Sequence, residues 1–212
     1  MGGTGPAGIG LAEQFAAAGH NVLVGSRTPE RAARARETVL ATIPATSVTA
    51  MTNDDAVQQA DVVFLTVPFD AQRPTVEGIA DKLDGKIVVS IANPLRVANK
   101  RAVFEPPSAG SLAEEIAMIA PGARIVGALH EIRVSRFADL SHEIHSDTIV
   151  TGDDDEAKRI VMDLCHQIRG VRAIDGGSLS NTRYVEGFVT VLVAINFRYK
   201  AGVSYRITGL KD

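Results

Sequence analysis

A single cysteine, Cys165, among 212 residues cannot close an internal disulfide, which excludes a disulfide framework and suits a reducing compartment. Its surroundings, "IVMDLCHQI", follow an apolar helical pattern, so it reads as an inert core thiol. No apolar run approaches the roughly 18 residues that a membrane-spanning helix needs. No basic-then-apolar signal segment stands ahead of the opening glycines, and the chain is expected in the cytoplasm, off the membrane. A strong charge of one sign is also lacking: a net charge of −3 gives no broad attraction to nucleic acid. Nucleophile and metalloprotease patterns are missing, as are a Walker loop and a Cys–His pair with supporting context. His142 and His145 could share a metal, but "SHEIHSD" brings no further ligands, so no metal site is expected. What remains is 45% hydrophobic and 22% charged, ordinary for a soluble globular protein with a substantial core.

Along the chain, apolar runs alternate with amphipathic ones. "GIGLAEQFAAA" predicts a helix closed by Gly19, "HNVLVGSR" a strand, and "PERAARARETVLATI" a helix with Pro29 in its first turn. "SVTAM" predicts a strand and "NDDAVQQA" a helix opened by an Asn/Asp cap. "DVVFLTVP" and "KIVVSIA" read as strands buried on both faces, with a helix from about Asp70 to Leu83 between them. "SLAEEIAMIA" and "DEAKRIVMDLCHQI" predict helices, and "ARIVGAL", "DTIVTG" and "VRAID" strands. The apolar "SNTRYVEGFVTVLVAINFRYK" predicts a last helix that packs on the sheet or on a second copy of itself. "FEPPSAGS" reads as a surface loop. This order implies an α/β fold: a Rossmann-type doubly wound, mainly parallel sheet with a small C-terminal helical part.

Gly3-Thr4-Gly5-Pro6-Ala7-Gly8 matches G-x-G-x-x-G at the start of a helix. In such a loop the glycines allow a tight turn, backbone approach to a pyrophosphate and close helix packing, and the helix amides face the phosphates. About 20 residues on, where a dinucleotide site reads the adenosine ribose, the chain has Ser26 and Arg27, with Arg31 one turn later. A carboxylate there would select NAD; a hydroxyl and two guanidinium groups suit a 2′-phosphate, hence NADP. As a plain solvated helix start, Arg27 and Arg31 would oppose the macrodipole by ~0.3–1 kcal/mol. Two further strands end in Thr66-Val67-Pro68-Phe69 and Ser90-Ile91-Ala92-Asn93-Pro94, loops expected to flank the nicotinamide. Phe69 fits a ring-stacking wall or plain packing equally. His130 follows a strand and faces the same rim, as an orienting group or as a satisfied strand-end histidine. No catalytic acid–base pair is assigned, and hydride transfer between two redox cofactors requires little proton chemistry.

Together, "GGTGPAGIGLA", "GHNVLVGSR", "DVVFLTVP", "ALHEIRVSRFADL", "TGDDDEAKRIVMDL" and "GSLSNTRYVE" resemble the NADPH-dependent coenzyme F420 reductases (F420H2:NADP oxidoreductases). The resemblance implies a Rossmann domain over residues 1–125, and a smaller α/β part over 126–212 that completes the deazaflavin site and a homodimer interface. It implies reversible hydride transfer between NADPH and the deazaflavin carbon C5. It puts Thr4, Gly5, Pro6 and Ala7 at the phosphates, Ser26, Arg27 and Arg31 at the 2′-phosphate, and Val67, Ala71 and Ala92 along the nicotinamide half. His130, Ile132, Asn181 and Arg183 fall where the deazaflavin would bind, with Arg133 and Arg136 as further basic partners for its acidic tail. The departures are Pro6, "IANPLRV" and the missing first strand. The rival readings are an NADPH-dependent flavin or ferric reductase and a non-catalytic NADP-binding sensor.

The strand that normally feeds such a loop is absent, since only Met1 precedes Gly2. That strand is central in a doubly wound sheet, and each unpaired backbone group left behind would cost roughly 1–3 kcal/mol. The expectation is either an upstream start with about five apolar residues, or a poorly stable chain that binds NADP weakly.

Overall fold

In the computed structural model, which describes residues 1–44 and 46–210, strands and helices alternate as the apolar pattern requires. The first half carries α1 (Pro6–Ala17), β1 (Val22–Ser26), α2 (Pro29–Thr42), β2 (Val48–Thr52), α3 (Asn53–Gln59), β3 (Val62–Leu65), α4 (Phe69–Glu77) and β4 (Ile87–Ser90). Then follow β5 (Leu95–Ala98), β6 (Arg101–Phe104), α5 (Leu112–Ile119), β7 (Arg124–Gly127) and α6 (Val134–Phe137). The chain closes with β8 (Ser146–Gly152), α7 (Asp155–His166), β9 (Val171–Asp175) and α8 (Thr182–Tyr199).

Five strands form one sheet in the order β3-β4-β7-β8-β9. β3, β4 and β7 are parallel, β8 runs against β7, and β9 is parallel to β8. β1 and β2 pair in parallel as a separate ribbon. Residues 1–3 lie between that ribbon and the large sheet: the Met1 amine donates to the Phe64 carbonyl at 3.0 Å, Thr66 N–H donates to the Met1 carbonyl, and Gly3 N–H to that of Gly25. One apolar layer joins Leu11 and Phe15 of α1 to Val89, Val126 and α7, and the opposite layer joins Val57, Val63, Leu65 and Val88 to α5. Cys165 is fully buried in the first layer, where desolvation pushes its thiol far up, so it is inert as expected.

Local chemistry sets the boundaries. α1 begins at Pro6, two residues before the expected Gly8, because proline at the first helical position has no amide to leave unpaired and a φ already helical. The cap of α3 is Thr52, whose hydroxyl accepts from Asp55 N–H, and not the Asn/Asp pair that follows it. The expected helix from Asp70 to Leu83 stops at Glu77, and a single 3-10 turn at Ala80–Lys82 completes the crossover. "PLRVANKRAVF" forms a hairpin, β5–β6, with Asn99 and Lys100 at positive φ, the signature of a two-residue turn matched to strand twist.

Among the described residues no helix is long and apolar enough to cross a membrane. Beyond α8 the chain returns to the β8 edge: Asp147 N–H donates to the Tyr205 carbonyl, Ile207 N–H donates to the Asp147 carboxylate, and the Tyr205 hydroxyl donates to Glu131 at 2.9 Å.

Candidate functional site

The glycine loop is held by contacts too close for any side chain. Gly2 has φ +67°, and a β-carbon there would lie 2.4 Å from Val67. At Gly8 it would lie 2.5 Å from the Gly3 Cα, so the helix packs directly on the turn. Pro6 occupies the first helical position and leaves the loop geometry intact. The turn and the helix N-terminus therefore face the carboxyl ends of β1 and β3, where open α/β sheets bind ligands.

A cavity of about 580 Å³ opens at that place. Thr4 and Gly5 from the loop, Ser26, Arg27 and Arg31 beyond β1, and Val67 and Ala71 beyond β3 all line it. Pro6 and Ala7 continue from the loop into the first turn of α1. Ser26 is buried, whereas Arg27 and Arg31 are exposed. Arg34, also exposed and one turn beyond Arg31, joins the same wall. Among the described residues none of these three arginines has a carboxylate partner, which leaves three positive charges uncompensated at one end of the cavity. Arg34 and Asn53 are lining residues that the reading of the loop did not single out. Arg34 follows Arg31 by three positions, so the two share a face of α2.

Ala92 lies outside that lining, tied to the loop after β7. His130 is buried, and its Nδ1 lies 3.0 Å from the Ala92 carbonyl, which fixes Nδ1 as the protonated nitrogen. Asn93 Nδ2 donates to the His130 carbonyl at 2.8 Å. Burial lowers the His130 pKa to about 4, so the ring is neutral at pH 7 and Nε2 is an acceptor. His130 Nε2, Asn93 Oδ1 and Ser90 Oγ are all buried without a hydrogen-bond partner in the protein. Three such atoms at the ends of β4 and β7 are unusual in a native interior.

The remaining residues named from the resemblance differ in setting. Ile132 is buried in the core layer beside Leu129 and Phe137. Asn181 donates to the Gly176 carbonyl at 2.7 Å, and Arg183 is ion-paired with Glu114. Arg133 and Arg136 are exposed, on the loop and helix just after His130. Phe69 is half-buried, with the Arg96 guanidinium 5.1 Å from its ring centre. His142 sits against Asp139 on the surface, and His145 against Glu143.

A family model described as NADP oxidoreductase, coenzyme F420-dependent, matches residues 1–94. An F420-dependent NADP reductase of Methanocaldococcus jannaschii is 36% identical, covering 100% of this chain and 97% of its own. One from Methanothermobacter thermautotrophicus is 35% identical over 100% and 94%. Among solved structures, a candidate F420-dependent NADP reductase from an Arthrobacter species superposes with a TM-score of 0.83 at 26% identity, covering 97% and 96% of the two chains.

Proposed function

The chain belongs to the family of F420-dependent NADP oxidoreductases, and from that premise we propose that it transfers hydride reversibly between NADPH and the deazaflavin coenzyme F420. The observation that carries the reading is the cavity wall of Ser26, Arg27, Arg31 and Arg34 at the end of β1, positive and without carboxylates. A 2′-phosphate fits that wall, and the loop of Thr4, Gly5, Pro6 and Ala7 fits a pyrophosphate, because glycines at 2 and 8, where a β-carbon would clash with Val67 or the Gly3 backbone, let the turn fold tightly onto the helix N-terminus. The two bound cofactors supply the redox chemistry, a hydride moving between nicotinamide and deazaflavin rings.

The protein's part is placement. Val67, Ala71 and Ala92 hold the nicotinamide half against the ends of β3 and β4. His130, buried and neutral, fixes the Ala92 loop through its Nδ1. No proton transfer by a side chain is required at the reacting carbons, which agrees with a site whose histidine stays neutral. Residues 126–212 complete the deazaflavin side, with Ile132 as core packing and Asn181 and Arg183 at its edge. Arg133 and Arg136, which make no ion pair among the described residues, suit the acidic tail of the coenzyme better than Arg183, which Glu114 neutralises.

A homodimer, a cytoplasmic setting and no nucleic-acid partner belong to the same reading. They are supported by the exposed apolar stripe of α8, a lone buried cysteine and the slight negative charge. The test mixes purified protein with NADPH and oxidised F420 and follows deazaflavin absorbance. Bleaching is expected with F420 and not with free flavin or ferric iron. Bleaching only with those acceptors would make it a flavin or ferric reductase, and NADPH binding by calorimetry without turnover would make it a sensor.

A further inference from the structure

The pairing of β7 with β8 is short: only Val126 with Gly152 and Gly127 with Thr151. β9 takes the opposite edge of β8 from Ser146 to Val150. The edge that β7 leaves must still satisfy its backbone groups, because a buried N–H without a partner is costly. Two elements supply the acceptors. Asp147 N–H donates to the Tyr205 carbonyl at 2.9 Å, and Ile149 N–H donates to the Glu131 carboxylate at 3.1 Å. Residues 203–207 are thus a strap laid on β8. Ile207 N–H fastens it to the Asp147 carboxylate, and the Arg172 guanidinium bridges that carboxylate and the Ile207 carbonyl.

The strap meets the turn that carries His130. Leu129 has φ +59°, a left-handed backbone that side-chain-bearing residues rarely take, and its N–H donates to Thr148 Oγ1 at 2.7 Å. Such a conformation persists only where its surroundings hold it. The Thr148 hydroxyl in turn donates to Glu131 at 3.1 Å. Ile132 N–H closes the turn on the Leu129 carbonyl, so His130 and Glu131 occupy its two central positions. The two side chains reach different neighbours: His130 the Ala92 carbonyl beyond β4, Glu131 the edge of β8 and the strap.

Glu131 is 5% exposed, and three donors converge on it, from Thr148, Ile149 and Tyr205. Tyr205 alone among them comes from outside the turn and its sheet. Burial pushes the phenol well above its ordinary pKa, so it stays a donor. Its ring lies edge-on to Phe188 of α8 with 5.3 Å between centres, which restrains the hydroxyl. Just past the turn the Arg133 guanidinium packs on Gly202, where a β-carbon would lie 2.7 Å from it. The segment after α8 therefore touches the turn at Glu131 and again at Arg133.

We propose, on the reading of the chain as an NADPH–F420 hydride-transfer enzyme, that Tyr205 is a positioning residue. Through Glu131 it sets the turn whose histidine holds the Ala92 loop, and so the placement of the nicotinamide against the deazaflavin.

Tyr205→Phe removes only the hydroxyl and leaves the ring against Phe188. In the unliganded chain, NMR of the nitrogen-labelled His130 ring is expected to show one tautomer, protonated at Nδ1. In Tyr205→Phe that proton is expected to exchange with solvent roughly tenfold faster, as the turn opens more often. In the assay with NADPH and F420, kcat is expected to fall about five- to twentyfold, because small misplacements of reacting atoms are costly. NADPH affinity by calorimetry is expected to change less than about twofold, since the strap touches no residue of the phosphate or ribose wall. Glu131→Gln keeps an acceptor for Tyr205 and Ile149 and is expected to stay nearer the parent in both readouts. A merely structural strap would lower Tm in Tyr205→Phe and leave the His130 proton and kcat at parental values, which would overturn the proposal. Equal losses in kcat and NADPH affinity would overturn it as well. A parent that turns over no F420 would overturn the hydride-transfer reading instead, and the His130 exchange rate would still decide whether Tyr205 sets the turn.

Discussion

Ser26, Arg27 and Arg31 could be located by counting from the glycine loop, because the βα unit fixes the distance between phosphate and ribose contacts. Arg34 and Asn53 could not, since each reaches the cavity only through the pitch of its helix or the packing of α3 on β1. Arg27→Ala is expected to weaken NADPH about ten- to a hundredfold and NADH less than twofold, by calorimetry, as charge-assisted hydrogen bonds to phosphate are worth about 1.5–3 kcal/mol. Equal loss for both would mean that the guanidinium does not read the 2′-phosphate. The Met1 amine gives a second expectation. Its folded pKa is about 6 against an ordinary 8.0, so between those values the unfolded chain binds a proton that the folded one refuses. Stability on this account is complete above pH 8 and falls as pH drops through 6, by about 2 kcal/mol. Urea unfolding at both pH values, compared with the N-acetylated chain, should give a difference that acetylation removes.

Elements with one clear period were legible in the sequence, and those governed by turns or capping were not. β3 and β4 were evident as unbroken apolar runs. The β5–β6 hairpin was hidden because its strands are largely exposed and its turn is Asn-Lys, where Asn-Gly is the usual signal. The contact between α5 and α8 was also invisible, as it depends on two side-chain links, the Arg183–Glu114 ion pair and a buried carboxylate. Glu186 of α8 is fully buried and accepts Leu112 N–H at the start of α5 on both oxygens, at 3.0 and 3.1 Å. Burial raises its pKa to about 8, so the folded state keeps a proton that the unfolded state releases near 4.5. Its contribution is therefore complete below pH 4.5 and lost as pH rises through 8. Glu186→Gln, which keeps an acceptor and has no charge, is expected to match the parent at pH 4.5 and exceed it by about 1–3 kcal/mol at pH 8.5 in urea unfolding. A deficit at pH 8.5 would show that the ionised carboxylate is the better partner for the α5 amides.

At the scale of the whole molecule, the sheet could be anticipated from the strand order, whereas the antiparallel placement of β8 against β7 could not. The outer surface carries a further demand. Tyr184 and Val191 are 71% and 51% exposed on α8, one heptad apart, with Phe188 and Ile195 completing an i, i+4, i+7, i+11 stripe. The Phe104 ring packs at Gly187, which sets β6 against the same helix, and Val97 and Val103 of the hairpin are each 54% exposed. An apolar stripe along an 18-residue helix beside an apolar hairpin is more than a monomer ordinarily leaves to water. A second copy related by a two-fold axis would cover both with the same surface. Sedimentation equilibrium at micromolar concentration is expected to return twice the chain mass of 22.4 kDa. Tyr184→Asp with Val191→Asp is expected to return one chain mass with the far-ultraviolet spectrum unchanged, since both side chains are exposed on the single chain. A parent that sediments as a single chain would leave the stripe without this partner.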